Sequence, residues 1–99
     1  MYAQVTTVEA SPARLDDAMR FFREQVLPQL QKMDGFEEFI VRSDRQSGKL
    51  LCVALWENEE DMHSMEEVLS STRGGIHHPP GGAVVGVENY GVSIFEVSS

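Results

Sequence analysis

The spacing of apolar and polar residues changes character at Leu50 to Trp56, where "LLCVALW" places seven apolar side chains in succession. A strand with one solvated face alternates, because successive side chains point to opposite sides of a sheet. Here neither side is left for water. The segment reads as a strand that needs cover on both faces.

Around it the pattern resolves into a short series of elements. Residues 2 to 9, "YAQVTTVE", are rich in Val, Thr and Tyr and end at the breaker "ASP", which predicts a first strand. Ser11 and Pro12 then predict an N-cap and a first helical position. Leu15, Ala18, Met19, Phe22, Val26, Leu30 and Met33 recur at helical spacing, opposite Asp16, Asp17, Arg20, Arg23 and Glu24. Pro28 should kink or break the last turns of this helix. Asp34 and Gly35 end it, and "FEEFIVRS", Phe36 to Ser43, predicts a second strand whose acids suit a sheet edge. The short loop "DRQSG" can join only antiparallel neighbours. After Trp56, Asn58 and Asp61 occupy N-cap and N3 positions of a second helix, with Met62, Met65, Val68 and Leu69 as its apolar stripe. "RGGIHHPPGG", Arg73 to Gly82, reads as a loop. "VVGVENYGVSIFEV" supplies a last strand or bent pair of strands, with Gly91 marking a bulge.

The predicted class is therefore α+β, a ferredoxin-like βαββαβ domain over residues 1–99 with a four-stranded antiparallel sheet. Right-handed crossovers place both helices on one side of that sheet, so the chain covers only one face from its own resources. The uncovered face would measure roughly 350 to 400 Å² in flat projection. That is as large as the apolar patches monomers usually show. A second copy, packed sheet against sheet through a two-fold interface, is the simplest cover. A homodimer through the open face, closing a dimeric α/β barrel, is expected.

Composition narrows the partners. Sixteen acids against eight bases give a formal net charge of -8, with no run of Lys or Arg. Nucleic acid and anionic membrane surfaces are not expected to bind. The N-terminal "MYAQVTTVEA" lacks the basic start and apolar core of a signal peptide, and no apolar run approaches spanning length, so a cytoplasmic location is expected. The single cysteine, Cys52, sits inside the apolar run and reads as a buried, inert thiol.

Few residues carry the signature of chemistry. His77 and His78 share a Pro/Gly-rich loop with Arg73 and are candidate general bases, imidazole being the side chain that changes charge near neutral pH. His63 lies among acids on a helix and reads as structural. No Cys-x-x-Cys, H-E-x-x-H or His-x-Glu spacing occurs, so no metal centre is expected. The paired glycines at 74, 75, 81 and 82 lack the lysine and the strand-to-helix step of a phosphate cradle. The acids of "ENEEDMHSMEE" suit a helix start, where the macrodipole favours them. Trp56 can line a pocket and orient a ligand through its one N–H, or serve the core alone. Asn89 and Tyr90 offer polar groups within an apolar strand, and Met19, Phe22, Met62 and Met65 could form a pliable wall.

Four pieces taken together, "VLPQL", "DGF", "DRQSGK" and "LWENEEDMHS", resemble the antibiotic biosynthesis monooxygenase domain of the dimeric α/β-barrel superfamily. The resemblance covers residues 1 to 72 and fades after Gly74. It implies a homodimer whose sheets pack into a barrel. It also implies oxygenation of quinone-like or polyphenolic substrates without metal or flavin, the substrate anion itself reducing oxygen. Trp56 matches a tryptophan at the family's "WE" position, and His77 or His78 would be the base. Haem-degrading relatives of this fold use an asparagine in strand one, a tryptophan in helix two and a histidine on iron. This chain has Gln4 and Met65 at the first two positions, which disfavours haem degradation. The expected function is thus a cofactor-independent monooxygenase acting with O2 on a small aromatic, polyketide-like or quinol substrate. The alternative is a non-catalytic dimeric module that binds a small hydrophobic ligand or a protein partner.

Overall fold

The computed structural model describes residues 1–70 and 82–98. The sheet comprises β1 (Tyr2–Ala10), β2 (Phe36–Asp44), β3 (Lys49–Trp56) and β4 (Gly82–Gly91), all antiparallel, in the order β2-β3-β1-β4. The apolar run forms the interior strand β3, paired on both edges, and the acid-bearing β2 is an edge strand, as its composition suggested. A ferredoxin-like α+β fold results, with an open sheet. No helix among the described residues is long and apolar enough to cross a membrane.

Alternation along the paired strands divides the sheet into two unlike faces. Leu50, Cys52, Ala54 and Trp56 of β3 join Val8 of β1 in one core with Leu15, Ala18, Phe22, Val26 and Leu30 from the first helical region and Met62 and Met65 from the second. Both helices therefore cover the same side. The opposite side carries Leu51, Val53 and Leu55, flanked by Ala3, Val5 and Thr7 of β1 and by Glu38, Ile40 and Arg42 of β2.

The first helical region is segmented rather than continuous. Ser11 does not cap through its side chain; Arg14 N–H donates to the Ser11 carbonyl at 2.9 Å, and Pro12 opens a 3-10 turn, Pro12–Arg14. The segment α1 (Leu15–Phe21) then passes into a π-turn, Phe22–Val26, before α2 (Leu27–Leu30). Within the π-turn the Leu27 N–H donates to the Phe22 carbonyl, five residues back. Pro28 supplies the reason. In a regular α-helix its ring would crowd the Glu24 carbonyl and leave that group without a donor. The wider turn relieves both problems just ahead of the proline. The helix is thereby widened at Pro28 and ends at Leu30, so Met33 lies beyond it.

Other boundaries follow from single contacts. Gly35 has φ +75, and a Cβ there would meet the Asp61 carboxylate at 2.1 Å; Gly48 has φ +80, and a Cβ there would fall 1.9 Å from the Ala10 carbonyl oxygen. Both positions need glycine for conformation and for space. Asn58 caps α3 (Glu59–Ser70) as expected, its side-chain oxygen accepting from Asp61 N–H at 2.9 Å. The bulge expected at Gly91 is absent. Register shifts instead between Thr7 and Val8, which face Gly86 and Val84 and leave Val85 over, while Gly91 pairs with Tyr2. After Gly91 no second strand follows; Val92 N–H donates to the Met1 carbonyl at 3.0 Å. The side chains of Val68 and Leu69, and residues 73–81 of the expected loop, lie outside the described residues.

Candidate functional site

The covered face meets the helices around one enclosed space. Gln4, Thr6, Cys52 and Ala54 form its floor, and Phe22, Val26, Leu30, Met65 and Phe39 enclose it. Register explains the assembly: Gln4 stands opposite Ala54, which stands opposite Phe39, and Thr6 stands opposite Cys52 one row away. Phe22, Val26 and Leu30, spaced by fours, bring the π-turn and α2 over that floor. About 10 Å³ of cavity remains free, roughly the room of a single water.

One group in this wall is chemically out of place. Gln4 is 1% exposed, and neither its Oε1 nor its Nε2 has a hydrogen-bond partner among the described residues. An amide removed from water without a partner costs about 1–3 kcal/mol on mutational scales. The Trp56 indole is likewise buried, its Nε1 without a partner among the described residues. Trp56 does not itself line the space. It lies one row beyond Ala54 on the same face, packed edge-on against Phe36 with ring centroids 5.5 Å apart.

No described group lining the cavity accepts a proton near neutral pH. Thr6 is a neutral hydroxyl, and burial pushes the Cys52 thiol up to about 12. Among the described residues no cluster of three His, Cys, Asp or Glu side chains is placed to hold a metal ion. His63 sits on the outer side of α3, exposed, with Nε2 3.4 Å from Glu59 Oε1.

The residues singled out from sequence fall in several places. Phe22 and Met65 line the cavity, and Met19 borders a groove just outside it. Met62 is buried in the core and touches a separate shallow cleft of about 110 Å³ with Tyr2, Glu59, Asn89, Tyr90 and Gly91. Asn89 pairs with Gln4 and belongs to the helix-side face, whereas Tyr90 pairs with Ala3 and belongs to the open face, where its hydroxyl donates to Glu88. Being consecutive in a strand, they point to opposite faces of the sheet and meet only at the rim of that cleft. That bond and the Glu88 charge hold the Tyr90 phenol above its ordinary range. His77 and His78 lie outside the described residues. Gln4, Thr6 and Phe39 were not among the sequence candidates for the pocket. The sequence singled out Gln4 only as standing where haem-degrading relatives have an asparagine, besides being a long polar side chain in a strand rich in Val and Thr.

Comparison with known proteins places this geometry. Solved structures of the same architecture include a candidate antibiotic biosynthesis monooxygenase from Deinococcus radiodurans, with a TM-score of 0.67 and 16% identity over the full length of both chains. The chain has the antibiotic biosynthesis monooxygenase fold. The same fold is found in the haem degrader MhuD of Mycobacterium tuberculosis, solved with two haems in its active site, at a TM-score of 0.70 and 13% identity, covering 98% of this chain and 100% of that one. A variant of MhuD with two manganese protoporphyrins bound per active site superposes with a TM-score of 0.80. In sequence, the chain is 36% identical over 73 residues to the "Uncharacterized protein Rv2557" of Mycobacterium tuberculosis. That match takes in 74% of this chain and 33% of the relative, so the chain spans about a third of the length of the curated relatives it matches. No family model matches the sequence.

The haem-bound members of the fold set a direct test. No imidazole among the described residues faces this space. A haem iron needs an axial ligand. The described residues do not fit haem.

Proposed function

We propose that this chain binds a small aromatic molecule between its sheet and helices and promotes its oxygenation by O2, acting as a pair of copies joined through their open sheet faces. The observation that carries the reading is the unpartnered Gln4 amide. A buried donor and acceptor left vacant in an apolar chamber are satisfied by a ligand that offers a carbonyl or hydroxyl on an otherwise apolar ring. With about 10 Å³ free, entry of a ring requires Met65 to repack, as its unbranched thioether chain allows, and Phe22 and Phe39 to move aside. The fold supports the reaction class.

The chemistry demands little of the protein. An anthrone or quinol that loses a proton becomes an electron-rich anion, and the Gln4 N–H is suited to stabilise the oxygen on which that charge gathers. The anion reduces O2 directly. For an anthrone, the methylene becomes a carbonyl, one oxygen atom enters the product, and the other leaves as water with both methylene hydrogens. No external reductant is consumed. Cys52 keeps its proton and Thr6 is no base, so deprotonation falls to His77 or His78 or to the acidity of the substrate itself. Trp56, next to the chamber, excludes water from its end.

The test is oxygen uptake by metal-free protein with a panel of anthrones and quinols, with Gln4→Leu, Trp56→Phe and the double variant His77→Ala/His78→Ala alongside. Gln4→Leu should lower uptake by about 10- to 100-fold while raising thermal stability, because removing an unpaired buried amide relieves about 1–2 kcal/mol. Uptake no faster than in protein-free controls would end the oxygenase reading. Ligand binding without uptake would reduce the function to capture of a hydrophobic molecule.

A further inference from the structure

Outside the cavity, between the helical region and the β2 edge, runs a groove of about 260 Å³ lined by Met19, Phe22, Arg23, Leu27, Phe39 and Val41. Phe22 and Phe39 also line the inner cavity. The two rings are thus the partition between the enclosed space and the outside. Phe22 opens the π-turn, whose backbone is already widened ahead of Pro28. Single π-turns of this kind are frequent at functional sites.

Charge marks this groove. Arg23 is the single charged side chain among the described residues that line it, and like Arg20, Lys32, Arg42 and Lys49 it makes no ion pair among the described residues. On a chain of formal net charge -8, an uncommitted guanidinium beside an apolar groove stands against the general field. Inside, 1% exposed and without a partner, Gln4 waits at the other end.

From these features we infer that the ligand is an aromatic anion, its ring system entering past Phe22 and Phe39 toward Gln4 while its carboxylate or sulfonate stays in the groove on Arg23. The inference rests on the sheet–helix cavity being the ligand site and adds the charge of the ligand and its way in. Neutral aromatics of the same shape bind more weakly, because they leave Arg23 unused.

Two fluorescent probes test it without any turnover: anilinonaphthalene sulfonate, and phenylnaphthylamine, which has the same ring system and no sulfonate. Arg23→Gln, at an exposed position that does not threaten folding, should weaken the sulfonate about fivefold and the neutral probe less than about twofold. Arg23→Lys should restore part of the preference. Ile40→Glu, on the open sheet face, should leave both affinities unchanged. Equal losses for the two probes in Arg23→Gln, no loss for either, or abolition of binding by Ile40→Glu would overturn the inference. Oxygen uptake plays no part in these readouts, so a silent oxygenase assay would leave the anionic ligand standing.

Discussion

The two faces of β3 are made from the same kinds of residue and live in different worlds. Leu50, Cys52, Ala54 and Trp56 are at most 3% exposed under the helices. Leu51 and Val53, their immediate neighbours, are only half-buried, and Ile40 beside Val53 is 41% exposed. Hydrophobicity alone does not distinguish them. What differs is the neighbour supplied: the helical face gains a small, mostly apolar space in which a buried amide becomes costly and therefore informative, while the open face gains an apolar surface fit for another protein surface.

The largest effect should come from making one substitution on both faces. Leu50→Ala is expected to destabilise the fold by about 2–5 kcal/mol, as large-to-small changes in packed cores do. Leu51→Ala should cost less than about 1 kcal/mol in a single copy. Urea midpoints read the difference, and equal costs would mean that the open face is covered, by the chain itself or by a second copy. Next comes Val53→Arg, which places a charge in the middle of the open face without touching the helical core. If two copies pair there, light scattering should show the mass fall to that of one 11.1 kDa chain while the circular dichroism is kept. An unchanged mass would remove the two-copy reading.

The smallest effect concerns Cys52, on the covered face. Burial lifts its thiol from the ordinary 9.0 to about 12, so the folded chain holds this proton more tightly than the unfolded one. Its contribution to stability is complete below about pH 9 and is lost as pH rises toward 12. The stability difference between wild type and Cys52→Ala should therefore narrow on raising the pH through that window, as read from melting temperatures. The native thiol should also resist disulfide reagents until the protein unfolds. Rapid labelling of the native protein would show that the chamber is open to solvent.

Much of the architecture was legible because it depends on local pattern. Alternation, breakers and helical spacing located the strands and helices, and a run apolar on both sides announced a strand that needs cover on both faces. The site was far less legible. Phe22 and Met65 stood out as a wall because helical spacing put them on an apolar face. Asn89 and Tyr90 looked like one polar pair and were divided by the pleat onto opposite faces. The widened turn at Phe22–Val26 was hidden for another reason: Pro28 forbids a regular helix, but its sequence neighbours do not say whether the chain breaks or widens.

By itself, the sequence determined that this chain makes a sheet with more apolar surface than its own helices can hide. Only the tertiary structure decided which alternate set of β3 side chains meets the helices, and so that Gln4 rather than Ala3 or Val5 stands in the chamber. The physical reason is register: a shift of one residue against a neighbouring strand turns every side chain to the other face, and register is set by partners far away in the chain.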